Sequence, residues 1–216
     1  MMSYFNLLFS NNSILRCLQI EAFKIFFFKG DCIEFGANKK ISRNFLKYNL
    51  KNCKITYSNI DNKKNNFLIL NLEKKIKHKK KYDNVVIFNV LEHLTNLDIP
   101  MENIYNLLKK KGRVLGSTPF IYRIHGAPKD YSRYTKDYLK KILKEKNFKQ
   151  IKIYELGIGP FLASFSLLRG YLKFIPIIYQ ILLSLVIIID KILNIFMKTN
   201  PKTIYPIGYV FSAVKK

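Results

Sequence analysis

The sequence predicts an α/β protein built on a doubly wound, largely parallel sheet. Three observations carry that expectation: short apolar runs recur from Asp31 onward, helical patterns with one apolar face lie between them, and Gly, Asn and Lys clusters punctuate the joins. Such alternation argues for βαβ units, whose ligands sit beyond the carboxyl ends of the strands. With 216 residues, 49% of them hydrophobic, the chain can bury a full core. It is not a disordered tail.

Residues 1–30 read as a leading helical segment, with an amphipathic helix over 13 to 28. The stretch "AFKIFFF" is broken by Lys24, no basic run precedes it and no small-residue cleavage site follows, so no secretory signal is expected. The core, residues 31–160, holds strand candidates at "CIEF" (32 to 35), "KITYS" (54 to 58), "NVVIFNV" (84 to 90) and "RVLGST" (113 to 118). A helix is expected over 101 to 111, where Met101, Ile104, Leu107 and Leu108 share a face and Gly112 stands as a left-handed cap. Another runs from 136 to 146, with Thr135 as N-cap, Asp137 in the first turn, and Leu139, Ile142 and Leu143 turned inward. "KQIKIYEL" (149 to 156) and "IGYVFSAV" (207 to 214) supply two later strands, the second within a C-terminal piece, residues 201–216. The Lys run 74 to 81, with His78 inside it, reads as a solvated face.

Between the last two strands lies a hydrophobic insertion, residues 161–200. Its most apolar part, 174 to 189, is flanked by Lys173 on one side and by Asp190 and Lys191 on the other. A 16-residue helix reaches only about 24 Å, short of the roughly 30 Å of membrane hydrocarbon. If the strands on either side share one sheet, a single crossing would also leave them on opposite sides of the bilayer. The expectation is a helical hairpin, 160 to 174 and 176 to 197, that caps the domain or dips into one leaflet. Docking on a membrane surface is preferred to a buried lid or a dimer contact.

The net charge of +24 rests on 38 basic residues, only six of them arginine. A basic surface suits phosphates, anionic lipid or nucleic acid, and by itself names none of them. No specific nucleic-acid partner is expected, because the chain shows neither an appended RNA-binding module nor an alternation of aromatic and basic residues. Cys17, Cys32 and Cys53 have no zinc or redox spacing, so no disulfide framework and no structural metal are expected. A reducing, cytoplasmic setting follows, peripheral to a membrane if the hairpin docks.

Three stretches hold residue types that carry chemistry. "CIEFGANKK" ends the first strand with Glu34, Gly36 and Asn38 at alternating positions, as a tight strand-to-helix turn beside a ligand would need. "KYDNVVIFNVLEHLTNLD" places Asp83 before a buried strand and Asn89 to His93 after it. "HGAPKDYSRYT" (125 to 135) gathers a histidine, an aspartate, an arginine and two tyrosines around Gly126 and Pro128. These stretches, with "LLKKKGRVLGSTP" between the last two, resemble in kind, order and spacing the class I S-adenosylmethionine-dependent methyltransferases of the type 11-like group. The resemblance covers residues 30 to 156 and the C-terminal strand.

That resemblance implies a Rossmann-like sheet of about seven strands, the last antiparallel, with S-adenosyl-L-methionine as cofactor across the first strands' carboxyl ends. Carried over, it puts Glu34, Gly36 and Asn38 on the methionine and ribose side. Asp61 is preferred to Asn59 for the ribose hydroxyls, because a carboxylate is the stronger acceptor. Asn71 and Leu72 match the adenine turn, and Asn89 lies near the methyl sulfonium. His93 is expected to pack and bond to nearby backbone. The sheet model sets "HGAPKDYSRYT" where an acceptor would bind, with His125 as general base, Asp130 orienting it or pairing with Arg133, and Arg133 free to clamp an anionic group. Tyr131 and Tyr134 would wall the pocket. The favoured reading is methyl transfer, with O-methylation expected, to a small-molecule or lipid- or saccharide-linked acceptor. Two alternatives stay open. One is a noncatalytic, membrane-associated relative whose cofactor turn is degraded at Asn38, and the other is an RNA or protein methyltransferase.

Overall fold

The structure is a computed structural model that describes residues 12–37, 53–60, 67–126, 129–172 and 174–216. Asn38 and Asp61, two of the expected cofactor contacts, lie outside these residues. A leading helix α1 (Ile14–Phe23) precedes β1 (Gly30–Phe35), β2 (Cys53–Asn59), β3 (Leu68–Ile69) and β4 (Tyr82–Phe88). A single 3₁₀ turn (Leu91–His93) follows, then α2 (Asp98–Leu107), β5 (Leu108–Pro119), α3 (Lys136–Glu145) and β6 (Phe148–Leu156). The insertion contributes α4 (Pro160–Leu172), α5 (Pro176–Phe196) and the short α6 (Pro201–Ile204), and β7 (Gly208–Lys215) closes the chain.

The strands form one sheet in the order β3-β2-β1-β4-β5-β7-β6. Pairing is parallel from β3 through β5 and antiparallel on both sides of β7, so β7 alone is reversed among the described strands. From β1 the chain winds outward through β2 and β3, then returns to place β4 on the other side of β1. That reversal makes the carboxyl ends of β1 and β4 the topological switch point, where crossover loops diverge and leave a crevice. Side chains alternate between two apolar layers, as strand geometry requires. One layer packs Cys32, Val86 and Leu115 against α1, α4 and α5, and the other packs Ile33, Val85, Ile87 and Phe211 against α2 and α3.

Local capping explains several boundaries. Ser13 accepts from Arg16 N at 3.2 Å and starts α1, while Thr135 accepts from Tyr138 N at 3.3 Å and starts α3 as expected. The helix expected over 101 to 111 ends sooner, at Leu107. There the chain turns directly into β5, and Lys215 Nζ donates to Tyr105 O at 2.8 Å and Leu108 O at 2.9 Å, so a cation satisfies the last carbonyls. Gly112 is therefore a strand residue and not a cap. A Cβ there would lie 2.8 Å from Lys109 O and 3.1 Å from Asp83 O, and the left-handed residue is Lys111 at φ 61°.

The insertion forms the expected hairpin, its two helices ending within two residues of the expected bounds. α5 runs 21 residues, about 31 Å, because Asp190 does not end it. Asp190 is fully buried and accepts from Phe161 N at 3.0 Å and Leu162 N at 2.8 Å, which caps α4 with a carboxylate. Gly159 is needed beside it, since a Cβ there would sit 2.5 Å from Asp190 Oδ1. Tyr179, Leu183, Ile187 and Asp190 form the inward face of α5, so the helix lies along the domain. α5 is long and apolar enough to cross a membrane, yet β6 and β7 on either side of the hairpin are hydrogen-bonded neighbours. One crossing by α5 would separate them.

Candidate active site

At the switch point the turns after β1 and β4 touch. Gly36 has φ 66°, in the left-handed region that favours glycine, and a Cβ on it would lie 2.4 Å from Val90 Cγ2. Glu34, two residues earlier, is buried at the strand end. Ala37 N donates to Ser58 O at 3.1 Å and Asn59 Nδ2 donates back to Ala37 O at 3.1 Å, which stitches this turn to the end of β2. Asn59 is thus committed to the turn, and its Oδ1 also accepts from Ile60 N at 2.7 Å.

After β3, Asn71 Oδ1 accepts from Glu73 N at 2.8 Å, an Asx-type turn. Leu72 turns its side chain into the core, and its carbonyl accepts from Asn103 Nδ2 at 2.8 Å. The same amide reaches Lys74 O at 2.9 Å, and its Oδ1 accepts from Ile76 N at 3.0 Å. One buried asparagine on α2 therefore shapes the loop that the resemblance gives to adenine.

Asn89 adopts φ 51° directly after β4, a conformation asparagine tolerates better than most residues. Its Oδ1 accepts from Gln19 Nε2 at 2.7 Å and Ser117 Oγ at 3.2 Å, and its Nδ2 donates to Gln19 Oε1 at 3.2 Å. Gln19 is fully buried on α1, so this amide pair latches the leading helix across the carboxyl edge of the sheet. Nothing in the sequence marks Gln19, because a lone glutamine on an amphipathic helix usually faces water.

The loop after β5 folds back over the 3₁₀ turn. The Asp130 carboxylate binds Arg133 Nη1 and, at 2.7 Å, Nη2, and its Oδ2 also accepts from the backbone N of His125 at 2.9 Å. Arg133 further donates to Ser132 O at 3.0 Å and Arg123 O at 3.3 Å, so its guanidinium holds the loop. Arg133, with the amide of His125, holds the Asp130 carboxyl well below the usual range. Tyr131 is exposed, whereas Tyr134 is buried and stacks on Tyr138 with ring centroids 5.4 Å apart, as part of the core.

Beneath that loop sits Glu92, with no exposed surface and neither carboxylate oxygen hydrogen-bonded. Burial pushes its carboxyl up to about 8, against the pull of its own backbone N–H and of Arg133. His93 Nδ1 lies 2.6 Å from Lys129 O, the backbone bond expected of it, and turns Nε2 to within 3.9 Å of Glu92 Oε1. His125 brings Nε2 to 3.8 Å from the same oxygen, and burial followed by neighbouring His93 lowers its pKa. His125 Nδ1 is 3.2 Å from Asp130 Oδ2, near enough for attraction but off the line of a hydrogen bond. The loop therefore delivers one histidine, its backbone N held by Asp130, onto a second histidine and a buried acid.

A seven-stranded α/β sheet with a reversed β7 and a crevice at β1 and β4 is a Rossmann-like, methyltransferase-type fold. A family model described as a methyltransferase domain matches residues 14–153, and the chain belongs to that family, whose cofactor is S-adenosyl-L-methionine. No curated protein matches the chain. Solved structures support the fold. The chain resembles a Haemonchus contortus phosphoethanolamine N-methyltransferase 2 in complex with phosphomonomethylethanolamine and S-adenosylhomocysteine, with 13% identity and a TM-score of 0.57. That match covers 98% of this chain and 56% of the other, so the chain spans little more than half of that enzyme. An S-adenosylmethionine-dependent methyltransferase from Archaeoglobus fulgidus matches at 14% identity and TM-score 0.56, over 94% of this chain and 93% of its own. A complex of a methyltransferase with the Haloferax volcanii Trm112 methyltransferase activator matches at 8% identity and TM-score 0.56, over 93% and 90%.

Proposed function

We propose that the chain transfers the methyl group of S-adenosylmethionine to a hydroxyl of a small-molecule or lipid- or saccharide-linked acceptor, at the cytoplasmic face of a membrane. The observation that carries the acceptor class is the outward face of α5. Ile177, Ile181, Leu185, Ile188, Ile192 and Ile195 are each at least half exposed and recur every three or four residues. They make an apolar stripe about 27 Å long. Beside it, Tyr171 and Phe174 are exposed, and a chain of +24 supplies cations for anionic headgroups. An enzyme lying on a bilayer along such a stripe meets acceptors held in that bilayer.

When bound, the cofactor supplies an electrophilic methyl on a sulfonium. The chain's part is to hold the acceptor oxygen in line and take its proton. Glu34, Gly36, Asn38, Asp61, Asn71, Leu72 and Asn89 are the cofactor-side residues of this reading. His125 is its proton acceptor, a task suited to an imidazole kept neutral by burial. Asp130 positions His125, Arg133 positions Asp130, and Tyr131 faces the acceptor while Tyr134 supports the loop from the core.

Equilibrium binding of S-adenosylmethionine and S-adenosylhomocysteine to the purified chain, with Gly36→Trp as control, tests the transferase part. Absence of saturable binding by the parent would sink it. Flotation with anionic vesicles tests the membrane part, with Ile181→Glu and Ile188→Glu placing charge on exposed positions that the fold does not use. Equal flotation of parent and variants would refute the docking face.

A further inference from the structure

We propose that Glu92, His93 and His125 form a binding site for one divalent transition-metal ion of the zinc class. Their ligand atoms all lie within 4.8 Å of one another, although the two histidines are far apart in sequence. Three features point to an ion and not to packing. Both oxygens of the fully buried Glu92 carboxylate are without a hydrogen bond, and one of them, Oε1, is approached by the two imidazole Nε2 atoms at 3.9 and 3.8 Å. His93 is fixed from behind at Nδ1 by Lys129 O at 2.6 Å, the outer arrangement typical of metal-binding histidines, and His125 Nδ1 has the Asp130 carboxylate 3.2 Å away, outside hydrogen-bond geometry. Arg133, the cation beside the cluster, is held on Asp130, so its charge is largely offset.

Donor chemistry selects the ion. Two imidazole nitrogens and one carboxylate oxygen suit Zn²⁺, Co²⁺ or Ni²⁺, whereas Mg²⁺ and Ca²⁺ prefer all-oxygen shells. A tetrahedral ion with bonds of about 2.0–2.1 Å holds its ligand atoms roughly 3.3 Å apart. Each histidine Nε2 needs to close on Glu92 Oε1 by about half an ångström, and no pair of ligand atoms by more than about 1.5 Å. Three protein ligands leave a coordination position for water or an acceptor hydroxyl, and an ion there would lower the pKa of that group. This last step rests on the transferase reading. It makes His125 a ligand in the metal-loaded protein, with the ion taking over the activation of the hydroxyl.

The test uses the chelator-treated 216-residue chain, titrated with Zn²⁺ by calorimetry and with Co²⁺ by visible absorption. The expected result is one ion per chain, ligand-field bands of a low-coordinate Co²⁺, and a higher Tm with Zn²⁺. Glu92→Gln and His125→Gln should each weaken binding about tenfold or more, with Asp130→Asn also weakening it. His78→Gln is the control, because the third histidine of the chain stacks on Tyr82 away from the cluster and should leave binding unchanged. No saturable binding by the parent protein, or parent-like affinity in Glu92→Gln, overturns the proposal, and the parent titration does so whether or not the variants fold. S-adenosylmethionine binding in the same samples separates the two readings. Cofactor binding without metal binding defeats the metal site alone, and metal binding without cofactor binding defeats the transferase reading alone.

Discussion

Replacing Asp190 with Leu should destabilise the protein, although it makes an apolar helix more apolar. The carboxylate caps α4 through Phe161 N and Leu162 N and is fully buried. Loss of a helix N-cap costs about 1–2 kcal/mol, and each buried donor left without an acceptor costs about 1–3 kcal/mol. These costs overlap, so about 3 kcal/mol is expected, or roughly 6–12 °C in Tm for a chain of this length. Asp190→Asn keeps one acceptor oxygen and should lose about half as much. Thermal unfolding followed by circular dichroism in mild detergent near neutral pH reads both. Were α5 instead to span a bilayer, removing an acid from its middle would ease insertion by about 2.5–3.5 kcal/mol, the opposite sign. An Asp190→Leu protein as stable as its parent refutes the cap and the hairpin geometry built on it.

Gly36→Ala should cost about 1–3 kcal/mol and weaken cofactor binding, because the new Cβ meets Val90 and the backbone sits at φ 66°. Adding Val90→Ala should recover the steric part only, which urea unfolding of the double variant measures. Gln19→Ala should release α1 from the sheet edge, seen as faster hydrogen exchange over residues 14–23, and a double-mutant cycle with Asn89 should give a coupling of about 1 kcal/mol. Asp83 accepts from Lys109 Nζ at 2.9 Å and Asp31 N at 2.8 Å, and the Lys109 bond leads in lowering its pKa. Its contribution is therefore present above the unfolded carboxyl value near 4 and lost as pH falls through the lower folded value. Asp83→Asn should flatten the acid limb of a Tm-versus-pH curve.

Periodicity was a sound guide wherever burial followed it. The β4 run is buried along nearly its whole length, and α3 starts at Thr135 with Leu139, Ile142 and Leu143 inward, as its spacing requires. The expected helix over 101 to 111 failed at its end because a long-range donor, Lys215, takes its carbonyls, and no local pattern announces that. Asp190 was read only as a flank of the most apolar run, 174 to 189, because an acid beside such a run ordinarily marks water. Its true partner is the start of α4, 28 to 29 residues earlier. In the candidate site, the cofactor turn and the acceptor loop were legible as clusters of unusual residue types. Of their internal division of labour only the pairing of Asp130 with Arg133 was among the expected alternatives; the burial of Tyr134 in the core and the bond of Asn89 to Gln19 were not.

The order of apolar runs and turns along the chain already specified an α/β sheet, because strand and helix periods and backbone turns are local properties that neighbouring residues set among themselves, and the resemblance of its motifs to a family added the methyltransferase type. Which polar group would be buried, and against what, was decided only by the folded chain. Glu92 reads as an ordinary acid after a strand. It becomes a buried carboxylate facing His93 and His125 because the β5 loop crosses above it. Burial and electrostatic environment depend on every element that packs against a group, and those elements lie far apart in sequence.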